Sequence, residues 1–137
     1  MAGFRVGCDL TNPLDVAASI EQFGDRYLRR IYTDAELAGC AGPILSQRLA
    51  ARFAAKEAVA KVLGELSGAL PWRSIEVGSD HSGRPVIALH AQAAALAAAQ
   101  GIRSFEVSLS HEPIMAMAVV LAEVDAQGAQ ADEVKRR

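Results

Sequence analysis

The hydrophobic pattern changes period several times along the chain. Phe4, Val6, Cys8 and Leu10 alternate with Arg5, Gly7 and Asp9, which is the two-residue period of a half-buried strand. Asn12-Pro13 ends that strand, because proline has no N–H to give to a ladder. Residues 15–23 follow with Val16, Ile20 and Phe23 on one helical side, and 26–31 reads as a further short helix. Thr33 and Glu36 have the spacing of a capping box, in which a hydroxyl accepts from a free helix N–H and the carboxylate reaches back.

Past a breaker segment at 39–43, the strongest helical pattern runs over 46–63 and stops at Gly64; 65–73 reads as a loop. The period then returns to two. Residues 75–77 and 85–89 read as strands joined through Asp80-His81-Ser82-Gly83, whose residue types suit a hairpin turn. An alanine-rich helix over 91–99 closes at Gly101, and 105–110 and 116–122 form a second strand pair around His111-Glu112-Pro113. From 126 to 137 small and charged residues alternate, which predicts a frayed tail. The order predicts an α+β fold, a helix-covered and mostly antiparallel sheet, as one domain over 1–125.

Composition narrows the picture. The 137 residues are 51% hydrophobic but only 5% aromatic, so one core built of Ala, Val, Leu and Ile is expected. A net charge of −2 removes any global field toward nucleic acid or anionic membrane, although a basic patch remains compatible with it. Cys8 and Cys40 make neither a disulfide framework nor a zinc cluster. They fit a reduced, cytoplasmic compartment. The first residues lack the charged-then-apolar order of a signal peptide, and every apolar stretch is too short to span a bilayer. These features predict a soluble globular protein.

The long helix carries the chemistry. On a helical wheel Leu45, Leu49, Phe53, Ala60 and Leu63 gather into an apolar stripe, with Lys56 in its middle and Glu57 at its edge. Lys56 can snorkel, with its stem buried and its ammonium in water. Arg52 and Lys56 are like charges one turn apart, and Arg48 adds a third cation. An anion site beside a carboxylate accounts for this arrangement; a solvated charged face accounts for the same residues. Glu57 and Lys61 have the i, i+4 spacing of a helix-supporting pair. Asp9 is either a turn former or helix cap or, if its strand packs beside the helix, a second carboxylate for a hard metal ion. His111, at a strand-to-turn transition, suits a proton carrier, a phosphate donor or an exposed turn residue. Gly83-Arg84-Pro85 are turn residues carrying one charge.

Four segments together resemble the holo-acyl-carrier-protein synthases, the short class of phosphopantetheinyl transferases. Val6-Gly7-Cys8-Asp9-Leu10 is similar to that family's opening G-x-D, and Arg52 to Lys61 is very close to its R-F-A-A-K-E-A-x-x-K signature. Residues 75–85 resemble its strand-turn-G-K/R-P element, and Val107 to Glu112 its V-S-[IL]-[ST]-H. The matches keep the family's order from Phe4 to Glu123. No P-loop or GxGxxG competes with them.

The resemblance implies transfer of phosphopantetheine from coenzyme A to a serine of an acyl carrier protein. It implies that Asp9 and Glu57 hold Mg²⁺ and that Lys61 lies near the coenzyme's diphosphate, making these three the catalytic set. It further implies that Arg52, Lys56 and His111 lie near the nucleotide end, that Gly83, Arg84 and Pro85 run along coenzyme A, and that the molecule is a homotrimer. One departure stands out: Asp15 occupies the position where the family usually places a basic residue for docking the carrier. Arg26, Arg29 and Arg30 are the alternative docking surface. A non-catalytic protein that binds coenzyme A or a carrier is the competing reading.

Overall fold

The elements of the computed structural model, which describes residues 2–137, run in the order β1 (Gly3–Thr11), α1 (Pro13–Phe23), α2 (Asp25–Ile31), α3 (Asp34–Ala38) and α4 (Leu45–Leu63). Two 3-10 turns, Glu65–Ala69 and Trp72–Ser74, lead to β2 (Ile75–Ser79), β3 (Pro85–Leu89), α5 (Ala91–Ala99), β4 (Ile102–Glu112), β5 (Met115–Val124) and α6 (Ala126–Lys135). Local chemistry sets several boundaries. Asn12 caps α1 by accepting from the N–H of Leu14, with Pro13 at the first helical position. The Thr33–Glu36 capping box forms in both directions at α3.

The strands make two antiparallel sheets, ordered β1-β5-β4 and β2-β3. Helix α4 lies across the first sheet and is buried on most of its circumference. The buried set is Leu49, Ala50, Ala51, Ala54, Ala55, Lys56, Ala58, Val59, Val62 and Leu63. The single apolar stripe expected of it is therefore too narrow. Its alanines are core residues, small enough for β1 and β5 to approach closely.

The period of β1 is as expected, and its apolar set points outward. Phe4, Val6 and Leu10 are 65%, 69% and 56% exposed, whereas Arg5, Gly7 and Asp9 face α4. β5 repeats the arrangement, with Ala116, Ala118, Val120, Ala122 and Val124 inward and Met117, Val119 and Leu121 outward. Alternation fixes that two faces differ; helix packing decides which one is covered. Gly7 shows the constraint directly, since a Cβ there would collide with the carbonyl oxygen of Ala58 on α4.

The tail forms α6 where a frayed end was expected. Asp125 caps it by accepting from the N–H of Gly128 at 2.9 Å. Arg5, an inward-facing cation on β1, donates to both oxygens of Asp132 at 2.6 and 2.7 Å and also to the Val62 carbonyl and Gln100. That demand for a partner anchors the helix, and Arg5 in turn holds the Asp132 carboxyl below its usual range. Among the described residues no helix is long and apolar enough to cross a membrane.

Candidate active site

Because Gly7 lets β1 lie against α4, Asp9 two residues on comes to rest beside Glu57 and Lys61. Lys61 Nζ donates to Asp9 Oδ1 at 3.0 Å and to the Cys8 carbonyl at 2.8 Å. The neighbouring Asp9 carboxyl, with burial, pushes Glu57 up to about 7. Burial opposes the ionisation of Asp9, but hydrogen bonds from Glu57 and Lys61 outweigh it and hold Asp9 below the usual carboxylate range.

Asp9 Oδ2 is buried with no hydrogen-bond partner. A lone buried carboxylate oxygen and two neighbouring carboxyls that cannot both ionise comfortably describe a place for a small divalent cation. Two carboxylates with the remaining positions open to phosphate oxygens suit Mg²⁺. Asp9 and Glu57 therefore fit that ion.

On the other side of the helix lies a cationic cavity of about 710 Å³, lined by Arg48, Arg52, Gly83, Arg84, Pro85 and His111 among others. Gly83 adopts φ 85° at the hairpin, and Asp80 accepts from the N–H groups of Ser82 and Arg84 to fix the turn. Arg84 pairs with Glu106 at 2.9 Å, both well exposed, so that partner is easily exchanged. His111 Nδ1 sits 3.0 Å from Gln47 Oε1. Arg52 Nε is buried without a partner, the donor counterpart of the orphaned Asp9 oxygen. The cavity thus has cations and an unmet N–H ready for an anion.

The structure separates residues that the sequence had grouped. On α4, Arg48 and Arg52 point about 140–180° away from Glu57 and Lys61, from the 100° turn per residue. Within one chain the carboxylate pair and the cationic cavity lie on different sides of α4.

Lys56 requires a correction. It neither snorkels nor joins the cationic cavity: its side chain is 0% exposed and its Nζ bonds Glu36 Oε1 at 2.7 Å. An ammonium at that position on the wheel points between α3 and β2, where only a buried carboxylate and backbone carbonyls are available. The partner Glu36 was legible as a capping residue and nothing more.

Trp72 was also not foreseen. It lines a groove of about 340 Å³ with Glu57, Ala60, Lys61, Gly64 and Ser67. Its signal was slight: the sole tryptophan, in a segment that reads as a loop. Arg26, Arg29 and Arg30 on α2 are exposed and make no ion pair among the described residues, and Asp15 is exposed in the first turn of α1.

Comparison with known proteins gives this geometry its context. The family model described as the 4'-phosphopantetheinyl transferase superfamily matches residues 5–116. The holo-[acyl-carrier-protein] synthase of Koribacter versatilis is 42% identical over 119 residues, covering 85% of this chain and 95% of the relative. The crystal structure of the Neisseria meningitidis holo-[acyl-carrier-protein] synthase superposes with a TM-score of 0.76 at 33% identity, covering 85% and 95% of the two chains. The Helicobacter pylori synthase in complex with coenzyme A superposes with a TM-score of 0.75 at 26% identity, covering 86% and 99%. The chain belongs to the holo-[acyl-carrier-protein] synthase family of the 4'-phosphopantetheinyl transferase superfamily.

Proposed function

We propose that the protein transfers the 4'-phosphopantetheine group of coenzyme A to a serine of an apo-acyl carrier protein, releasing adenosine 3',5'-bisphosphate. The observation that carries this reading is the Asp9–Glu57–Lys61 cluster, a carboxylate pair with an orphaned oxygen beside an exposed ammonium. Bound there, Mg²⁺ supplies neutralisation of charge on the phosphoryl oxygens. Lys61, 57% exposed at its side chain and tethered by Asp9, can turn to a diphosphate oxygen and stabilise charge that builds as the serine hydroxyl attacks. Arg48, Arg52 and His111 suit the phosphates at the nucleotide end, and Gly83, Arg84 and Pro85 a coenzyme lying along the hairpin.

The separation of pair and cavity across α4 supports a homotrimer. Phe4, Val6, Leu10, Met117, Val119 and Leu121 form a contiguous exposed apolar face on β1 and β5, because Val6 pairs with Leu121 and Leu10 with Met117 in register. Such a patch on a small domain calls for a partner. A second copy that covers it can bring its own cationic cavity to the first copy's carboxylates, and a closed ring repeats the contact.

The exposed arginines of α2 (Arg26, Arg29 and Arg30) suit an acidic recognition helix on the carrier, and Asp15 turns docking away from the start of α1. The pathway served is fatty acid or polyketide synthesis in the cytoplasm. Incubation with coenzyme A, Mg²⁺ and a panel of apo-carriers of both types tests the reading by mass spectrometry. We expect at least one carrier to gain the mass of one phosphopantetheine. No gain on any carrier, with coenzyme A still bound in calorimetry, would instead identify a non-catalytic binder.

A further inference from the structure

A lysine is rarely buried completely, and Lys56 is 0% exposed. Its ammonium donates to Glu36 Oε1 at 2.7 Å, to the Trp72 carbonyl at 3.1 Å and to the Ile75 carbonyl, and it lies 5.9 Å from the centre of the Tyr32 ring. Three N–H donors meet three acceptors, so none remains for a phosphate. Glu36 is equally engaged: Oε1 also accepts from the Thr33 N–H at 2.8 Å, and Oε2 from the Val77 N–H at 2.9 Å. A buried ion pair of this kind adds little over well-packed apolar residues of similar volume. Stability alone is a weak account of it.

Its geometry offers a stronger account. The ammonium ties α4 to α3, to the Trp72–Ser74 turn and to the start of β2. The indole of Trp72 packs on Phe53, with ring centroids 5.1 Å apart. Phe53 and Glu57 are one turn apart on α4, so the indole lies against the helix face that carries Glu57. The bond from Lys56 thus holds the wall of the groove that Glu57 and Lys61 share.

We propose that Lys56 is a positioning residue for the transfer reaction, holding Trp72 by its backbone carbonyl and so fixing the groove beside Glu57 and Lys61. The proposal rests on the transferase reading and removes Lys56 from the phosphate ligands. It also separates two effects. The cavity for the nucleotide end lies across α4 and does not include Trp72, so loss of Lys56 reaches turnover and leaves nucleotide binding alone.

Lys56→Met combined with Glu36→Gln removes both charges together, avoids an unpaired buried ion and keeps a side-chain acceptor for the Thr33 or Val77 N–H. The double variant is expected to fold, to lose about 10- to 100-fold in kcat for carrier loading, and to bind adenosine 3',5'-bisphosphate within about two-fold of the parent affinity. Trp72 is the only tryptophan, so its emission reports the groove directly, and a shifted maximum with faster acrylamide quenching is expected. Unchanged turnover and emission would reduce the pair to a stabilising role. Weakened nucleotide binding with unchanged emission would make Lys56 a phosphate ligand after all. Acetylation of the unmutated protein tests the same point without any variant: Lys61 and Lys135 become modified, and Lys56 stays unmodified with or without coenzyme A. Modification of Lys56 in the free protein and its protection by coenzyme A would overturn the proposal. Fluorescence and acetylation need no carrier turnover, so they separate a failure here from a failure of carrier loading.

Discussion

Glu57 carries two burdens at one carboxyl, an ionisation opposed by the neighbouring Asp9 and metal binding in the proposed reaction. Its folded-state pKa of about 7 stands above the ordinary value of 4.5 because of the neighbouring Asp9 carboxyl and burial. A group whose pKa rises on folding holds its proton more tightly in the native state. Its stabilising contribution is complete below 4.5 and disappears as pH climbs through about 7. Asp9 acts in the opposite sense and at lower pH, since its folded-state pKa lies below 3.8. Thermal melts without added metal should therefore show stability falling across the window from 4.5 to about 7, and Glu57→Gln should flatten that slope. A slope that persists in the variant would place the proton elsewhere. Transfer by Glu57→Gln should fall by about 10²- to 10³-fold, the scale of losing one electrostatic contact to a transition state. Mg²⁺ should also restore stability near neutral pH to the parent and have little effect on the variant, because the ion replaces the proton on Glu57.

At the scale of elements, the packing of β1 on α4 decides whether a site exists, and Gly7 is its narrowest point. Gly7→Ala must push the strand off the Ala58 carbonyl, an overpacking cost of about 1–3 kcal/mol. A lowered melting temperature together with reduced transfer is expected, because Asp9 moves with its strand; an unaltered melt would mean the helix shifts freely. Gly7 was legible as a motif residue, but its steric reason was not, since a sequence does not reveal which backbone faces it. The same limit governs β1 and β5. Both read as strands, yet the larger apolar residues of β1 face outward and β5 is apolar on both faces, burying its Ala and Val set against the small alanines of α4. Asp9, Glu57 and Lys61 could be named from a contiguous helix signature and a G-x-D because each is tied to a local pattern. The Lys56–Glu36 pair joins residues 20 apart through a tertiary contact, and no local pattern records it. Helix α6 was missed for a related reason: its sequence has little apolar face, and its hold comes from Arg5, 127 residues away from Asp132.

For the whole molecule, the carboxylate pair and the cationic cavity lie on different sides of α4, and the proposed trimer would bring one copy's pair to its neighbour's cavity. If the apolar face of β1 and β5 closes a ring, each complete site takes Glu57 from one copy and Arg52 from its neighbour. That arrangement makes a sharp expectation for mixing. Glu57→Ala and Arg52→Ala chains should each be nearly inactive as pure assemblies. Co-refolded in equal amounts, they form mixed rings in which about a quarter of the interfaces join an intact Glu57 to an intact Arg52, for random closed assembly. Carrier loading should then return to about a quarter of the parent rate, with each neighbour contact scored independently. Activity that stays at the level of the pure variants would mean that both halves act within one copy, which the geometry of α4 opposes. Introducing Leu121→Arg into both chains places a charge at the centre of the apolar face. Light scattering should then report monomers, and mixing should restore nothing, because a bare face cannot deliver a neighbour's Arg52 to Glu57.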